Sequence, residues 1–304
     1  MTRISGKTAL VTGGASGMGR LMAMKLARRG ARVVIYDLDE AAIEEAVREA
    51  GAYNGGRAYG YVCDVSDREM VYEVADRVRR EVGDVEILIN NAGVVTGKTL
   101  MEAPDEQIER VFKVNALALY WVTKSFLGPM MEKNEGHIVT IASAAGIIGV
   151  SKQTDYSASK HAAVGFTESL RVELKRYGYR GIRTTIVSPY YVDTGMFRGV
   201  KTRFPIVSPY YVDTGMFRGV KTRFPRVLPI LDPDRVAEKV MRMIERNRQE
   251  IKMPFIVTTV PALHVLPANL LDRIMDFFGV NHSMDEFVGR EGEPERPVPV
   301  KERA

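Results

Sequence analysis

The chain has 304 residues, 45% of them hydrophobic and 27% charged, a globular balance that is too apolar for a disordered chain and long enough for one large α/β domain. Its 43 basic and 38 acidic side chains leave a formal charge of +5. Arg and Lys are scattered among Asp and Glu without a basic run, so no nucleic-acid partner is implied, whereas an anionic cofactor or a membrane surface suits the mild excess.

From the N-terminus, short β-branched runs alternate with longer segments of helical period, the pattern of parallel strands joined by helices. Strands are predicted at Thr8 to Thr12, Ala31 to Asp37, Ala58 to Val62, Glu86 to Asn90, His137 to Ser143 and Ile182 to Ser188, with a seventh near Ile251 to Val257. Helices are predicted at Met18 to Arg29, Asp39 to Ala50, Asp67 to Val82, Asp105 to Met131, Asp155 to Tyr177 and Pro233 to Arg248, several opening near an Asp or Ser suited to capping. The fold class expected is therefore α/β, a single Rossmann-type domain over 1–288 with a doubly wound parallel seven-stranded sheet. The tail 289–304, GEPERPVPVKERA in its body, reads as disordered.

The opening MTRISGKTALVTGG shows neither the apolar stretch nor the cleavage site of a signal peptide, so export is not expected. Met253 to Leu271 is uncharged over 19 residues but holds Pro254, Pro261 and Pro267, so a spanning helix is not expected there either. Cys63 is the single cysteine, which rules out an internal disulfide and a cysteine-based zinc site. The four histidines stand at no metal-ligand spacing, and the expectation is no metal and a cytoplasmic location.

IVSPYYVDTGMFRGVKTRFP occurs at Ile186 to Pro205 and again, identically, at Ile206 to Pro225. Two copies cannot bury a core as a solenoid does, so a tandem duplication is the reading. The first copy is expected to supply the sixth strand, because GIRTT precedes it, and the second to lead into RVLPILDP. The surplus of about 20 residues would loop out beside the site at small entropic cost.

Directly after the first predicted strand stands TGGASGMGR, with Gly13, Gly17 and Gly19 spaced GxxxGxG before a helix. Such glycines let a backbone approach a pyrophosphate while the helix N-terminus presents free N–H groups. Asp37 ends the second predicted strand, placed to accept from adenosine ribose hydroxyls and to repel a 2′-phosphate; the glycine loop offers no Arg or Lys before Gly19 to offset it. The cofactor predicted is NAD. Asp37 can equally cap the following helix.

The helix beginning at Asp155 opens with YSASK, which sets Tyr156 and Lys160 one turn apart on one face. An ammonium beside a phenol favours phenolate and suits it to exchange a proton with an alcohol. Alone the spacing is common on solvated helices. Here Ser143 ends a strand, NNAG follows the fourth strand at Asn90 to Gly93, and Asn115 lies in the long helix Asp105 to Met131.

With TGGASGMG, Asp64 in CDV, NNAG, Asn115, Ser143 and YSASK in this order, the chain resembles the classical short-chain dehydrogenase/reductase family from about Ser5 to Val288, the duplication apart. The resemblance implies that Tyr156 is the general acid/base, Lys160 lowers its pKa and binds the nicotinamide ribose, Ser143 positions the reacting oxygen and Asn115 holds a relay water. It further implies Ser16 and Met18 in the glycine loop, Asp64 and Val65 beside the adenine, and Asn91, Ala92 and Gly93 along the cofactor. The family's PGxVxT segment stands here as PYYVDT, with Tyr190 for glycine, so Pro189, Val192 and Thr194 are the expected nicotinamide contacts.

TGMFRGVKTRFP, LPILDP and FFGVNHSMDEFVGR are similar to the subgroup of retinol and 17-beta-hydroxysteroid dehydrogenases, which implies a lipophilic alcohol or ketone as substrate. The apolar stretches Phe255 to Leu271 and Ile274 to Phe278 then form a substrate lid, lie against a membrane, or simply pack as a strand and amphipathic helix. Trp121, Phe112 and Leu119 read as core, and His161 points away from Lys160's face. The resemblance implies a homodimer or homotetramer through the helices Asp105 to Met131 and Asp155 to Tyr177. The competing reading is a silent NAD-binding protein whose pocket the duplication disrupts.

Overall fold

The computed structural model describes residues 1–192 and 223–285. Seven strands, β1 (Thr8–Thr12), β2 (Arg32–Asp37), β3 (Ala58–Val62), β4 (Ile87–Asn90), β5 (Gly136–Ile141), β6 (Ile182–Pro189) and β7 (Glu250–Met253), pair in parallel in the order β3-β2-β1-β4-β5-β6-β7. Parallel neighbours need long crossovers, which α1 (Gly17–Arg28), α2 (Glu40–Asn54), α3 (Arg68–Glu81), α4 (Asp105–Phe112), α5 (Ala118–Lys133), α6 (Thr154–Arg176) and α7 (Pro233–Glu245) supply. Two more helices, α8 (Val260–Leu263) and α9 (Ala268–Phe277), follow β7. This is the doubly wound α/β sheet that the alternating pattern predicts.

Strand residues alternate between faces, and here both faces are covered, so the central strands β1 and β4 are buried along their whole length. Val11, Val33 and Ile35 pack with Met22, Leu26, Val240 and Ile244 of α1 and α7. Leu10, Val34 and Leu88 pack on the other face with Val71, Val78, Val122, Phe126 and Leu170 of α3, α5 and α6. Leu119 belongs to the buried core, and Trp121 packs against its margin. Three helices start on capping carboxylates: Asp39 accepts from the Ala42 N–H, Asp67 from Met70 and Asp232 from Arg235.

Three boundaries differ from the sequence expectation. The predicted helix Asp105 to Met131 is interrupted by a π-helical turn, Lys113–Leu117, which carries Asn115. β5 stops at Ile141, so Ser143 lies past the strand and caps a 3-10 turn at Ala144–Gly146. The seventh strand is only Glu250–Met253; Pro254 has no N–H to extend the ladder, and Phe255–Thr259 coils as a 3-10 turn.

Ile186–Pro189 of the first repeat copy form the end of β6, and Val192 bridges to Leu231. Arg223 to Pro225 of the second copy lead toward α7, with Phe224 packed on Phe277 and Phe278. Thr194, the surplus loop and the tail 289–304 lie outside the described residues. Among the described residues no helix is long and apolar enough to cross a membrane.

Candidate active site

β1 lies between β2 and β4, so the chain leaves it in both directions across the sheet and a crevice opens beyond the strand ends. Gly13 (φ +60°) and Gly17 (φ +49°) hold the left-handed conformations that turn the loop after β1 into α1. A Cβ at Gly19 would stand 1.9 Å from the Gly13 carbonyl oxygen, so Gly19 brings α1 against the loop rather than lining the crevice. Ser16 caps α1 without a side-chain bond, and Gly17 and Met18 open the helix at the crevice wall.

Asp37 accepts from the Ala15 N–H at 2.9 Å and from the Leu38 N–H at 2.8 Å. Its carboxylate thus holds the glycine loop while lining the crevice; Asp39, not Asp37, caps α2. Arg20, the first cation after the loop, is committed to Glu45 and Glu49, each at 2.8 Å. Asp64 accepts from the Ser66 N–H and hydroxyl, and it lines the same wall with the buried Val65. The Asn91 amide donates to the Thr12 and Gly13 carbonyls, and the Thr12 hydroxyl accepts from the Asn91 and Ala92 N–H groups, tying β4's end to β1's. A Cβ on Gly93 would lie 3.4 Å from both Asn115 Oδ1 and Lys160 Nζ, so this stretch of backbone runs in contact with both side chains.

Ser143, Tyr156 and Lys160 line one end of this crevice together. Ser143 Oγ accepts from the Ala145 N–H at 3.1 Å and is hydrogen-bonded to Tyr156. Burial holds the Tyr156 phenol well above its ordinary range, and the Ser143 bond works in the opposite direction. Burial also lowers the Lys160 ammonium to about 8; its Nζ donates to the Ile141 carbonyl at 2.9 Å and stands 5.6 Å from the Tyr156 ring centre. The expected lowering of the Tyr156 pKa by Lys160 is therefore not what this pocket shows by itself, because desolvation is the larger effect on the phenol.

Asn115 stands behind the wall. Its Oδ1 accepts from the Val94 N–H at 2.9 Å, and its Nδ2 donates to the Val94 carbonyl and to Ser159 Oγ. Its amide thus joins the π-helical turn, the segment after β4 and the Tyr156 helix. Pro189 and Val192 line the crevice. His161 is exposed and bonds only its own helix at the Ser157 carbonyl.

Sequence reasoning passed over a polar knot at the substrate end. Tyr191 is buried, its hydroxyl accepts from Gln153 Nε2 at 3.2 Å and pairs with Ser283 Oγ at 2.9 Å. Burial pushes this phenol up to about 12. The signal in the sequence is the doubled tyrosine of PYYVDT, whose second ring has no counterpart in the glycine of the family segment. Ile148, Val150, Tyr190 and Leu228 join Met275, Val280 and Phe278 in an apolar roof, so the segment after β7 covers this end. Asp155 was equally unmarked: buried, it accepts from the Tyr156 N–H and from the Thr96 hydroxyl.

The short chain dehydrogenase family profile matches residues 7–204. Mouse epidermal retinol dehydrogenase 2 is 42% identical over 291 residues, covering 94% of this chain and 87% of the relative. Retinol dehydrogenase 10 of Xenopus tropicalis is 40% identical, covering 94% and 86%. A short chain dehydrogenase/reductase from Burkholderia phymatum, solved with NAD, superposes with a TM-score of 0.71 at 30% identity over 87% of this chain and 95% of that one. A metagenomic short-chain oxidoreductase solved with NADP gives 0.64 at 26% identity over 83% and 97%. By sequence and by fold alike, this chain belongs to the short-chain dehydrogenase family and is an oxidoreductase, grouped there with proteins named retinol dehydrogenases.

Proposed function

We propose that the chain is an NAD-dependent dehydrogenase that interconverts lipophilic secondary or allylic alcohols, of retinoid, steroid or long-chain type, with their carbonyl forms. The observation that carries it is the Ser143–Tyr156 hydrogen bond beside Lys160, at an apolar end of a crevice whose other end holds the glycine loop and Asp37. A dinucleotide fits these residues: the loop has no side chain at Gly13 or Gly17, α1's uncapped N–H groups meet a pyrophosphate, and Gly93 leaves room before Lys160. Asp37 favours a ribose with both hydroxyls free, and the pairing of Arg20 with Glu45 and Glu49 leaves no loop cation for a 2′-phosphate.

The bound nicotinamide supplies the hydride acceptor, or the donor in reduction. Ser143 Oγ holds the substrate oxygen, and the Tyr156 oxygen takes the hydroxyl proton in oxidation or returns it in reduction. The Lys160 cation favours the phenolate electrostatically, an interaction strengthened by the same burial that otherwise suppresses ionisation. The roof of Tyr190, Leu228, Val280 and Phe278 excludes water and suits a lipophilic body. The retinol dehydrogenase relatives support the same substrate class. We further assign a homodimer or homotetramer formed through α5 and α6, whose exposed Tyr120, Val172 and Tyr177 offer apolar area, in a cytoplasmic setting that keeps the buried Cys63 reduced.

The test is NADH formation from NAD with a panel of retinoid, steroid and long-chain secondary alcohols, repeated with NADP and with a chain lacking 206–225. Turnover with NAD over NADP supports the reading. Preference for NADP overturns the cofactor assignment, and silence of both chains on every alcohol overturns the substrate class.

A further inference from the structure

Asp155 is a buried carboxylate beside Tyr156 that does not line the crevice and has no part in the proposed proton transfer. Its place in α6 explains one of its two bonds. Gln153 stands just before the helix and its carbonyl takes the Ser157 N–H, so the Tyr156 N–H falls in the first turn, where a helix has no carbonyl to offer it. Asp155 Oδ1 supplies the acceptor at 2.7 Å. Its other oxygen, Oδ2, accepts from the hydroxyl of Thr96, 59 residues back in the chain.

The carbonyl of Tyr156 is held in a parallel way. Ser159 Oγ donates to it at 2.7 Å and accepts from Asn115 Nδ2 at 3.0 Å, and the Asn115 amide ends on both backbone groups of Val94. Val94 and Thr96 belong to one short segment, which leaves β4 through the cofactor wall at Asn91 to Gly93. Both peptide groups of Tyr156 are therefore tied to that segment by side chains, through Ser159 and Asn115 at the C=O and through Asp155 at the N–H. The phenol oxygen lies at the far end of its side chain, so a small tilt of the backbone at Tyr156 moves it by more.

We propose that Asp155, braced by Thr96, is a positioning residue for Tyr156: the carboxylate locks the backbone of this tyrosine to the segment that lines the cofactor crevice, so that the phenol oxygen and the cofactor wall keep a fixed separation. Asp155 touches neither substrate nor cofactor and acts through geometry, not charge. The inference rests on Tyr156 as the proton carrier.

Three substitutions test it, with thermal unfolding to identify any variant that has lost its fold. Asp155→Ala removes both bonds, and Thr96→Val deletes only the hydroxyl. Asp155→Asn keeps both bonds, its oxygen accepting from the Tyr156 N–H and its amide donating to Thr96 Oγ1. With an alcohol that the intact chain oxidises, kcat is expected to fall about 10–100-fold in Asp155→Ala and about 3–10-fold in Thr96→Val, with the KM for NAD unmoved and the rate restored in Asp155→Asn. The solvent deuterium isotope effect on kcat is expected to grow in the two impaired variants, because a displaced phenol slows the proton transfer, whereas a loss of stability alone leaves it unchanged. Thr96→Val, nearly isosteric and half-buried, carries the test where Asp155→Ala does not fold. Exchange of the Tyr156 amide hydrogen, followed by NMR, needs no substrate and is expected to quicken at least about tenfold in Asp155→Ala. Unchanged kcat in a folded Asp155→Ala or Thr96→Val variant, an Asn variant as slow as the Ala one, or a KM for NAD that rises in step with the loss of kcat overturns the proposal. If the intact chain oxidises no alcohol, the substrate reading falls by itself, and unchanged amide exchange in Asp155→Ala still overturns the hold on Tyr156.

Discussion

At the scale of single residues, burial governs the chemistry. It raises the Tyr156 phenol and lowers the Lys160 ammonium to about 8, so each group resists its charged form and the pair gains most when both ionise together. Tyr156→Phe removes the phenol oxygen proposed to carry the proton and keeps the ring in place. Turnover is expected to fall by about 10²–10⁴ while NAD binding, followed by fluorescence titration, stays unchanged. Unchanged turnover would remove Tyr156 from the mechanism. Asp37→Ala takes away the carboxylate that both faces the crevice and holds the Ala15 N–H. It is expected to raise the KM for NAD at least about tenfold and to narrow the preference over NADP, measured as the ratio of kcat/KM values.

These residues were legible because their chemistry is local. A glycine that needs positive φ, a carboxylate at a strand end and Tyr–Lys at one helical turn are marked by spacing alone. Tyr191, Gln153 and Ser283 were not, because 38 residues separate the first pair and 92 the second, and neither partner has a local signature.

At the scale of elements, two interruptions shape the site. The π-helical turn at Lys113–Leu117 brings the Asn115 amide to both backbone groups of Val94 and to Ser159, and such turns recur where a helix must present a side chain out of register. Asn115→Leu leaves the half-buried Val94 N–H and C=O without this partner, and the expected loss is about 1–3 kcal/mol in urea unfolding, together with reduced kcat. The second interruption is the knot of Tyr191, Gln153 and Ser283, which fastens the roof to the strand end. Tyr191→Phe keeps the ring and deletes both bonds. The KM for a bulky alcohol is expected to rise with the KM for NAD unmoved, and equal changes in both would contradict a role confined to the substrate end.

At the scale of the molecule, His137 ties the sheet together at the N-terminal ends of its strands, opposite the crevice. It is fully buried in β5, with Nδ1 on the Thr2 hydroxyl and Nε2 on Thr185, while Thr2 reaches Asn247 and Thr185 the Arg248 carbonyl. Burial lowers its pKa to about 4. The unfolded chain takes up a proton below about pH 6.5 that the folded one refuses until about 4, so this contribution is complete above 6.5 and is lost on acidification through that window. The loss expected is about 3 kcal/mol. Urea unfolding at neutral and acid pH checks it, with His137→Gln flattening the dependence.

The duplication also belongs to this scale. Because β6 draws on the first copy, removing 206–225 takes nothing from the sheet. Loop entropy alone then predicts a stability change of at most about 1 kcal/mol, measurable by the same unfolding experiment.

By itself the sequence determined the sheet, the crevice and the one-turn spacing of Tyr156 and Lys160: strand and helix periods, glycine positions and one-turn spacings act over a few residues, and parallel packing follows from their alternation. Only the tertiary structure decided how Asn115 is held, that Asp37 braces the glycine loop rather than capping α2, and that the segment after β7 folds into a roof. Each of these depends on partners distant in the chain, and burial, which sets the ionisation of Tyr156, Lys160 and His137, exists only once those partners have closed around them.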